Sequence, residues 1–449
     1  MNIAADPAVT ADAPEYARDA GLAKTIGTFG LTASIVNSVV GAGIFVVPAS
    51  MAMAAGAHAY LAFLACALAM GMVVLCFAEG GRRVPTSGGP YGYIDAAFGP
   101  LAGSVAGTLL WASDVLACGS LLAALAAGLA SVVPAAWAPV TRVAVTLGTL
   151  GALVAINVRG ASSGARFVAL ATLVKILPLL LFIVVGAAAM HPANFTTTNP
   201  ESTQGFGRAV ILAMFTLTGM ETALGASGEV SHPARTIPRA LISAMLFVSV
   251  LYVAIQLIAQ GVLGAALSSS ATPLADAMGR VNPVLRVVLL SGATISTLAW
   301  IGSDILGSPR FLFAMARDRL LPAVLGRIHP RTRAPYVAIL AYAAIAATLA
   351  LSGTFAELAV LATLTSAALY LAGCAAVWKL TRRDAGAASG LARRWLPIAA
   401  MSGIASMTLV IVLGTWTEIA ALFCAIALGA VAYGVRAWRR GATERLPSP

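Results

Sequence analysis

The chain has 449 residues, 59% of them hydrophobic and only 10% charged, with a mean hydropathy of +0.90. Soluble globular domains carry about a quarter charged residues, so this composition excludes one. A net charge of +11 with no soluble basic domain to carry it argues against a nucleic-acid binder and for basic residues as topology signals.

Apolar runs of twenty or more residues recur from end to end, each long enough to cross roughly 30 Å of hydrocarbon. They are long and uniformly apolar, unlike the alternating strands of about ten residues that build a membrane β-barrel. The expected fold is therefore all-α and polytopic. Residues 1–24 contain acids and no apolar core, so they read as a solvated cytoplasmic tail and not as a cleavable signal peptide. Twelve membrane spans follow, at 25–55, 58–80, 100–131, 138–157, 164–189, 206–229, 237–262, 283–316, 335–352, 355–379, 396–414 and 416–438. Together they form one membrane unit, 25–438, with a second tail at 439–449. Of the 28 Lys and Arg, 23 fall in the two tails and the even-numbered loops. Only Arg142, Arg208, Arg280 and Arg286 fall on the other side, which places both termini in the cytoplasm. Lys175 alone lies deep inside a span, well away from both ends.

The five cysteines (Cys66, Cys76, Cys118, Cys374 and Cys424) all fall within apolar spans. They read as small buried hydrophobes, not as a disulfide framework. His58, His191, His232 and His329 are scattered without metal-ligand spacing, so neither a metal nor a cofactor is expected. The glycines of "GGPYGY" (88–93) follow no strand, which rejects a nucleotide-binding reading.

Two spans look interrupted. The first contains "SVVGAGIFVVP" (38–48), with Gly41-Ala42-Gly43 and Pro48 inside what is otherwise a helix. The sixth, "AVILAMFTLTGMETALGASGEV", carries Gly219, Gly225 and Gly228 beside Thr216 and Thr218. In hydrocarbon an unpaired backbone group costs several kcal/mol, so a break needs a wet cavity or a protein partner. First and sixth are corresponding positions if two five-span halves repeat with inverted topology, and matched breaks then point to a transport site at the midplane. The other reading is that the glycines only let helices pack closely.

Four further stretches extend the pattern: "GAGIFVVP", "PTSGGPYGYIDAAFGPLAG", "ASGEVSHPARTIPRA" and "GSPRFLFAMARDRLLPAVLGRIHPRTRAPY". In this order they resemble the amino acid–polyamine–organocation superfamily over essentially the whole chain. Within it the sequence is most similar to bacterial amino acid permeases and arginine/agmatine-type exchangers. The resemblance implies a LeuT-type fold, a 5+5 inverted repeat with broken helices 1 and 6, and transport of amino acids or related amines.

A free amino acid offers a carboxylate and an ammonium, and a broken helix frees N–H groups at one stump and C=O groups at the other. The N–H stump suits an anion. Gly41, Ala42 and Gly43 would expose N–H groups to the carboxylate, while carbonyls over Phe215, Thr216, Leu217 and Thr218 would accept from the ammonium; the family implies the same division. Ser38 falls where the exchangers place a polar contact, or it packs helices. Phe215 aligns with their capping aromatic, which can gate access and attract a cation by about 0.5–2 kcal/mol; its other fate is packing. Glu221 matches a glutamate implicated in gating and pH response, against a purely structural hydrogen-bonding role.

An intramembrane lysine is costly and marks function by default. Lys175 matches a fifth-span lysine of related permeases whose ammonium takes the place of a sodium bridging spans 1 and 8. It reads as a proton-coupling group or as a fixed strut, and the arginine/agmatine-type exchangers lack it. Asp114 and Asp304 are the other buried acids. Either they face the substrate and favour a cationic side chain such as arginine, lysine or a polyamine, or each pairs with Lys175 or a hydroxyl. Trp111 and Trp300 lie within a turn of them. Glu79, Arg82 and Arg83, with Arg310, Arg317, Asp318 and Arg319, read as topology signals or as ion pairs closing an inner gate.

The resulting expectation is a secondary amino acid transporter in the cell inner membrane, working by alternating access with protons or a counter-substrate as partner. A homodimer is left open. The competing class is a non-transporting sensor or accessory subunit on the same fold, which usually adds a soluble domain. A membrane enzyme would need an interfacial cluster of His, Asp or Ser, and none is present in the sequence.

Overall fold

The computed structural model describes residues 24–443 except 86–88, 132, 159–164, 196–202, 226, 318–320, 331, 333 and 384–389. The N-terminal tail to residue 23, the C-terminal tail beyond 443, Asp318 and Arg319 lie outside the described residues.

The described chain is nearly all helix. Eight helical stretches among the described residues are long and apolar enough to cross a membrane, and three shorter apolar helices accompany them. In chain order the helices are α1 (Thr28–Val39), α2 (Gly43–Ala55), α3 (Ala59–Arg83), α4 (Pro90–Phe98), α5 (Pro100–Ala130) and α6 (Ala138–Val158). Then come α7 (Ala165–Ala188), α8 (Thr203–Leu217), α9 (Met220–Leu224), α10 (Pro233–Leu263), α11 (Pro273–Val281) and α12 (Pro283–Gly307). The last five are α13 (Pro309–Arg317), α14 (Tyr336–Ser352), α15 (Phe355–Arg383), α16 (Gly390–Val412) and α17 (Trp416–Thr443).

Proline punctuates the bundle. It occupies the first turn of α4, α5, α10, α11 and α12. There its fixed φ fits a helix start and its missing N–H is no loss. The same rule marks a one-residue interruption in the stretch read from sequence as a span over 283–316: α12 stops at Gly307 and Pro309 opens α13, while Pro283–Phe313 remains one of the eight long apolar stretches. Pro48 instead lies inside α2, where the Gln256 side chain of α10 donates to its carbonyl at 3.4 Å.

The two interrupted stretches sit together. α2 packs on α8, α9 packs on α1, and α10 lies along both α1 and α3. α5 packs on α15 and α14, and α12 on α7 and α6. The ends of the interrupted stretches are tied as well. Ile26 donates its N–H to Glu229 O at 3.1 Å and accepts from Ser231 N–H at 2.9 Å, forming an isolated parallel bridge to Val230. This pairing joins the entry to α1 to the turn after α9. The core between the helices includes four tyrosines that are entirely buried: Tyr93, Tyr252, Tyr342 and Tyr370.

Candidate functional site

The stretch 25–55 breaks at Val40–Ala42. The N–H of Val40 still reaches Val36 O at 2.7 Å, and that of Gly41 turns tightly onto Val39 O at 2.8 Å. Helix α2 restarts with Phe45 N–H on Ala42 O at 3.1 Å. The N–H groups of Gly43 and Ile44, ahead of that bond, stand at an open stump with no carbonyl of their own helix to bond. Two aromatic rings lie directly on this backbone. A methyl group at Gly41 would lie 3.1 Å from Trp300 Cδ1, and one at Gly43 would lie 3.2 Å from Phe215 Cε1.

The stretch 206–229 breaks at Thr218–Gly219. Thr218 N–H closes on Met214 O at 3.1 Å, and Gly219 then turns at φ +113°, a region open essentially to glycine. A Cβ there would sit 2.8 Å from the Ser38 carbonyl oxygen. The two breaks thus touch each other, backbone against backbone. Thr216 and Thr218 turn their hydroxyls onto Ala213 O and Phe215 O at 2.7 and 2.8 Å. Glu221 holds the second break from inside. One of its carboxylate oxygens accepts from Gly219 N–H at 3.0 Å and from the Tyr370 hydroxyl of α15 at 2.5 Å.

A cavity of about 300 Å³ opens at this junction. Ser38, Gly41 and Gly43 line it from the first break, Phe215, Thr216, Thr218 and Glu221 from the second, and Asp114, Lys175 and Asp304 from α5, α7 and α12. Two expected residues are not brought to it. Leu217 is fully buried in the core, and Ala42 faces a second, mostly apolar cavity of about 160 Å³ with Phe45, Val46 and Thr294. Phe215 packs edge-on against Phe355 with ring centres 5.8 Å apart, so it serves packing and cavity wall together.

Lys175 is 2% exposed. Its ammonium donates to Asn37 Oδ1 at 3.1 Å and Asn37 O at 3.3 Å, so among the described residues its hydrogen-bond partner belongs to α1. The link from α12 to the break is made separately, by Ser296 Oγ donating to Gly41 O at 3.3 Å. Asp114 and Asp304 pair with a hydroxyl and not with Lys175. Ser308 Oγ lies 2.7 Å from Asp114 Oδ2 and 2.8 Å from Asp304 Oδ1, and Tyr342 donates to Asp304 Oδ2 at 2.5 Å. Trp111 and Trp300 both line the cavity. Glu79 pairs with Arg82 and Arg83 of its own helix at 2.6 and 2.7 Å.

Asn37, Ser308, Tyr342 and Tyr370 escaped the sequence reading. Ser308 carried a usable signal, since it stands four residues after Asp304 on the same helical row. The tyrosines carried none, because they reach the site from helices distant in sequence.

A family model described as amino acid permease matches residues 26–434. The chain is 30% identical over 335 residues to the methylthioribose transporter of Bacillus subtilis (strain 168), covering 70% of this chain and 72% of that protein. It is 29% identical over 344 residues to the branched-chain amino acid permease BcaP of the same strain, covering 71% and 72%. To that strain's serine/threonine exchanger SteT it is 26% identical over 340 residues, covering 72% and 76%.

Proposed function

The chain belongs to the amino acid permease family, within the amino acid–polyamine–organocation superfamily, and from that premise we propose that it is a secondary active amino acid transporter working by alternating access. It crosses the inner membrane twelve times with both termini in the cytoplasm, its first ten spans form a LeuT-type 5+5 inverted repeat, and it carries out no covalent chemistry. The substrate carboxylate lies on the N–H stump of α2, framed by Gly41 and Gly43. Its ammonium lies on the carbonyls that end α8, with Phe215 closing over it. Protons or a counter-substrate drive the cycle, through Lys175 and Glu221.

The single observation that carries this reading is the contact between the two breaks. Gly219 can approach the Ser38 carbonyl so closely only without a side chain, and both stumps open on one cavity of about 300 Å³. Helix packing alone would bury such stumps against protein. A cavity at the stumps, lined by three carboxyl side chains and one amine, is instead the wet setting in which irregular backbone is tolerated at membrane depth. The volume is at the lower end of small-molecule pockets, about 300–1,000 Å³, and suits a ligand of amino acid size. Two of the relatives are named for branched-chain amino acids and for serine and threonine, substrates that share the carboxylate and ammonium placed here.

The test is uptake and exchange of radiolabelled amino acids by purified protein in liposomes. Time-dependent uptake saturating with at least one amino acid is expected. A folded, monodisperse protein that moves none across a broad panel overturns the proposal.

A further inference from the structure

The titratable side chains lining the cavity are Asp114, Asp304, Glu221 and Lys175, three carboxyls against one amine. Two of the four are already engaged on the breaks. Glu221 takes the Gly219 N–H and the Tyr370 hydroxyl, and Lys175 is spent on Asn37. Asp114 and Asp304 remain, facing the cavity from α5 and α12 with no cationic side chain paired to either among the described residues. Two carboxylates in a membrane interior are not stable as a bare pair: each charge must be matched or neutralised.

The hydrogens in the group set how this is done. Ser308 Oγ is within 2.8 Å of an oxygen of each acid, yet a serine hydroxyl carries one proton. It can donate to one acid only, so the other must donate to it. The Tyr342 phenol gives its proton to the far oxygen of Asp304. The network is complete when the two acids hold one proton between them, running carboxyl to Ser308 to carboxylate to Tyr342. A second proton would find no acceptor within the network and would point from the free Asp114 oxygen into the cavity. Removing the proton would leave Ser308 Oγ facing a carboxylate with no hydrogen between them.

We propose that Asp114, Ser308 and Asp304 form a one-proton carboxyl pair on the cavity wall, and that a substrate with a cationic side chain, an ammonium or guanidinium beyond the α-amino acid head, displaces that proton as it binds. The bound cation then stands between two carboxylates, and the proton leaves to water on the side from which the substrate entered. A cycle built on this step exchanges a proton for a cationic substrate. This inference rests on the amino acid transporter reading above and adds to it the substrate class and the coupled ion.

The pair is where a cationic side chain displaces a proton, while Lys175 and Glu221 act on the breaks themselves. On the helices packed around it, Tyr342 of α14 hydrogen-bonds Asp304 and the Cys118 thiol of α5 lies beside it. Tyr370 of α15 is bonded to Glu221 of α9, and Lys175 of α7 to Asn37. Arg142 of α6 and Arg310 of α13 are exposed, Glu418 of α17 is paired with Arg208, and Asp95 of α4 lies against Gly103, about three turns from Asp114.

The experiment uses the full-length protein in detergent, with arginine and putrescine as cationic probes and alanine as the neutral control. Calorimetry in two buffers of different ionisation enthalpy counts protons released on binding. Wild type is expected to release about one proton per bound arginine and none per alanine, as a coupled pair requires. Asp114→Asn and Asp304→Asn should each abolish the release. Each should also weaken arginine binding about 10-fold or more, as losing one of two charges facing a buried cation implies, and should cost arginine affinity several times more than alanine affinity. Ser308→Ala should reduce the release and Ser308→Thr, which keeps the hydroxyl, should retain it, separating proton sharing from a merely structural role. Equal release with alanine and arginine overturns the inference, as does release that persists in both Asn variants. A protein that transports alanine but neither binds cationic probes nor releases protons overturns it alone. A protein that binds no amino acid overturns it together with the transporter reading.

Discussion

One carboxylate oxygen of Glu221 holds two donors: the N–H of Gly219 at 3.0 Å and the hydroxyl of Tyr370 at 2.5 Å. The first partner is the hinge of the second break and the second stands on α15, 149 residues away in sequence, so the carboxylate clamps the break to the packed body of the bundle. A hydrogen bond to a charged group contributes about 1.5–3 kcal/mol. Tyr370→Phe removes the α15 side of the clamp and leaves the Gly219 side intact. Initial uptake should fall about 10-fold with a measurable drop in thermal stability, the size expected of one such bond. Uptake and melting temperature both equal to wild type would show that α15 does not hold the break.

Gly219 has no acceptable replacement. A side chain at φ +113° costs roughly 1–2 kcal/mol on conformation alone. The obstacle to its Cβ is the Ser38 carbonyl at 2.8 Å, backbone that cannot swing aside as a flexible side chain would. Gly219→Ala should abolish transport by pushing the two breaks apart. Gly148→Ala in α6 is the matched control, because nothing lies within 4 Å of its Cβ position. There alanine should be neutral or stabilise by up to about 1 kcal/mol, the difference in helix propensity. Comparable loss in both variants, measured as uptake per folded protein, would count against a special role for position 219.

These contacts also show what a single sequence reveals. The interruptions at Gly41–Gly43 and Gly219 were legible because glycine inside an apolar run has few uses, and the structure breaks both stretches within a residue or two of them. Lys175, Asp114 and Asp304 stood out because charge is rare in hydrocarbon. Their partners did not stand out. Asn37, Ser308, Tyr342 and Tyr370 are ordinary residues whose meaning comes from what lies opposite, and one chain without its fold does not say which helices face each other. Ala42 and Leu217 were named for their backbone groups at the breaks, while their side chains lie off the cavity, because successive residues point different ways.

Lys175 anchors α7 to the last turn of α1 through both oxygens of Asn37. Lys175→Ala takes the donor from the backbone carbonyl and side-chain oxygen of half-buried Asn37, a cost of about 1 kcal/mol. That loss falls on α1, immediately before the first break, and not on the α2 stump. Accumulation driven by a pH gradient should therefore disappear while one-for-one exchange of labelled for unlabelled substrate survives. Counterflow in liposomes with and without a pH gradient separates the two activities. Retained pH-driven accumulation would make Lys175 a strut with no part in coupling.

Glu418 tests how much a visible ion pair contributes. Its Oε1 meets Arg208 at 2.6 Å, joining α8 to α17, while its Oε2 accepts from Thr415 N–H at 2.8 Å. Thr415 Oγ1 in turn accepts from the Glu418 N–H at 3.4 Å. The glutamate is thus the third residue of a reciprocal cap at the start of α17 as well as half of a salt bridge. Partly exposed pairs are worth about 0–1 kcal/mol, and a lost cap costs typically about 1 kcal/mol. Arg208→Ala should therefore lower stability only slightly, and Glu418→Ala by about 1 kcal/mol more because the cap goes with the pair. Neither residue touches the cavity, so substrate affinity should be unchanged in both. Thermal melts of the two variants in one detergent decide it: equal losses would assign the whole effect to the ion pair and none to the cap.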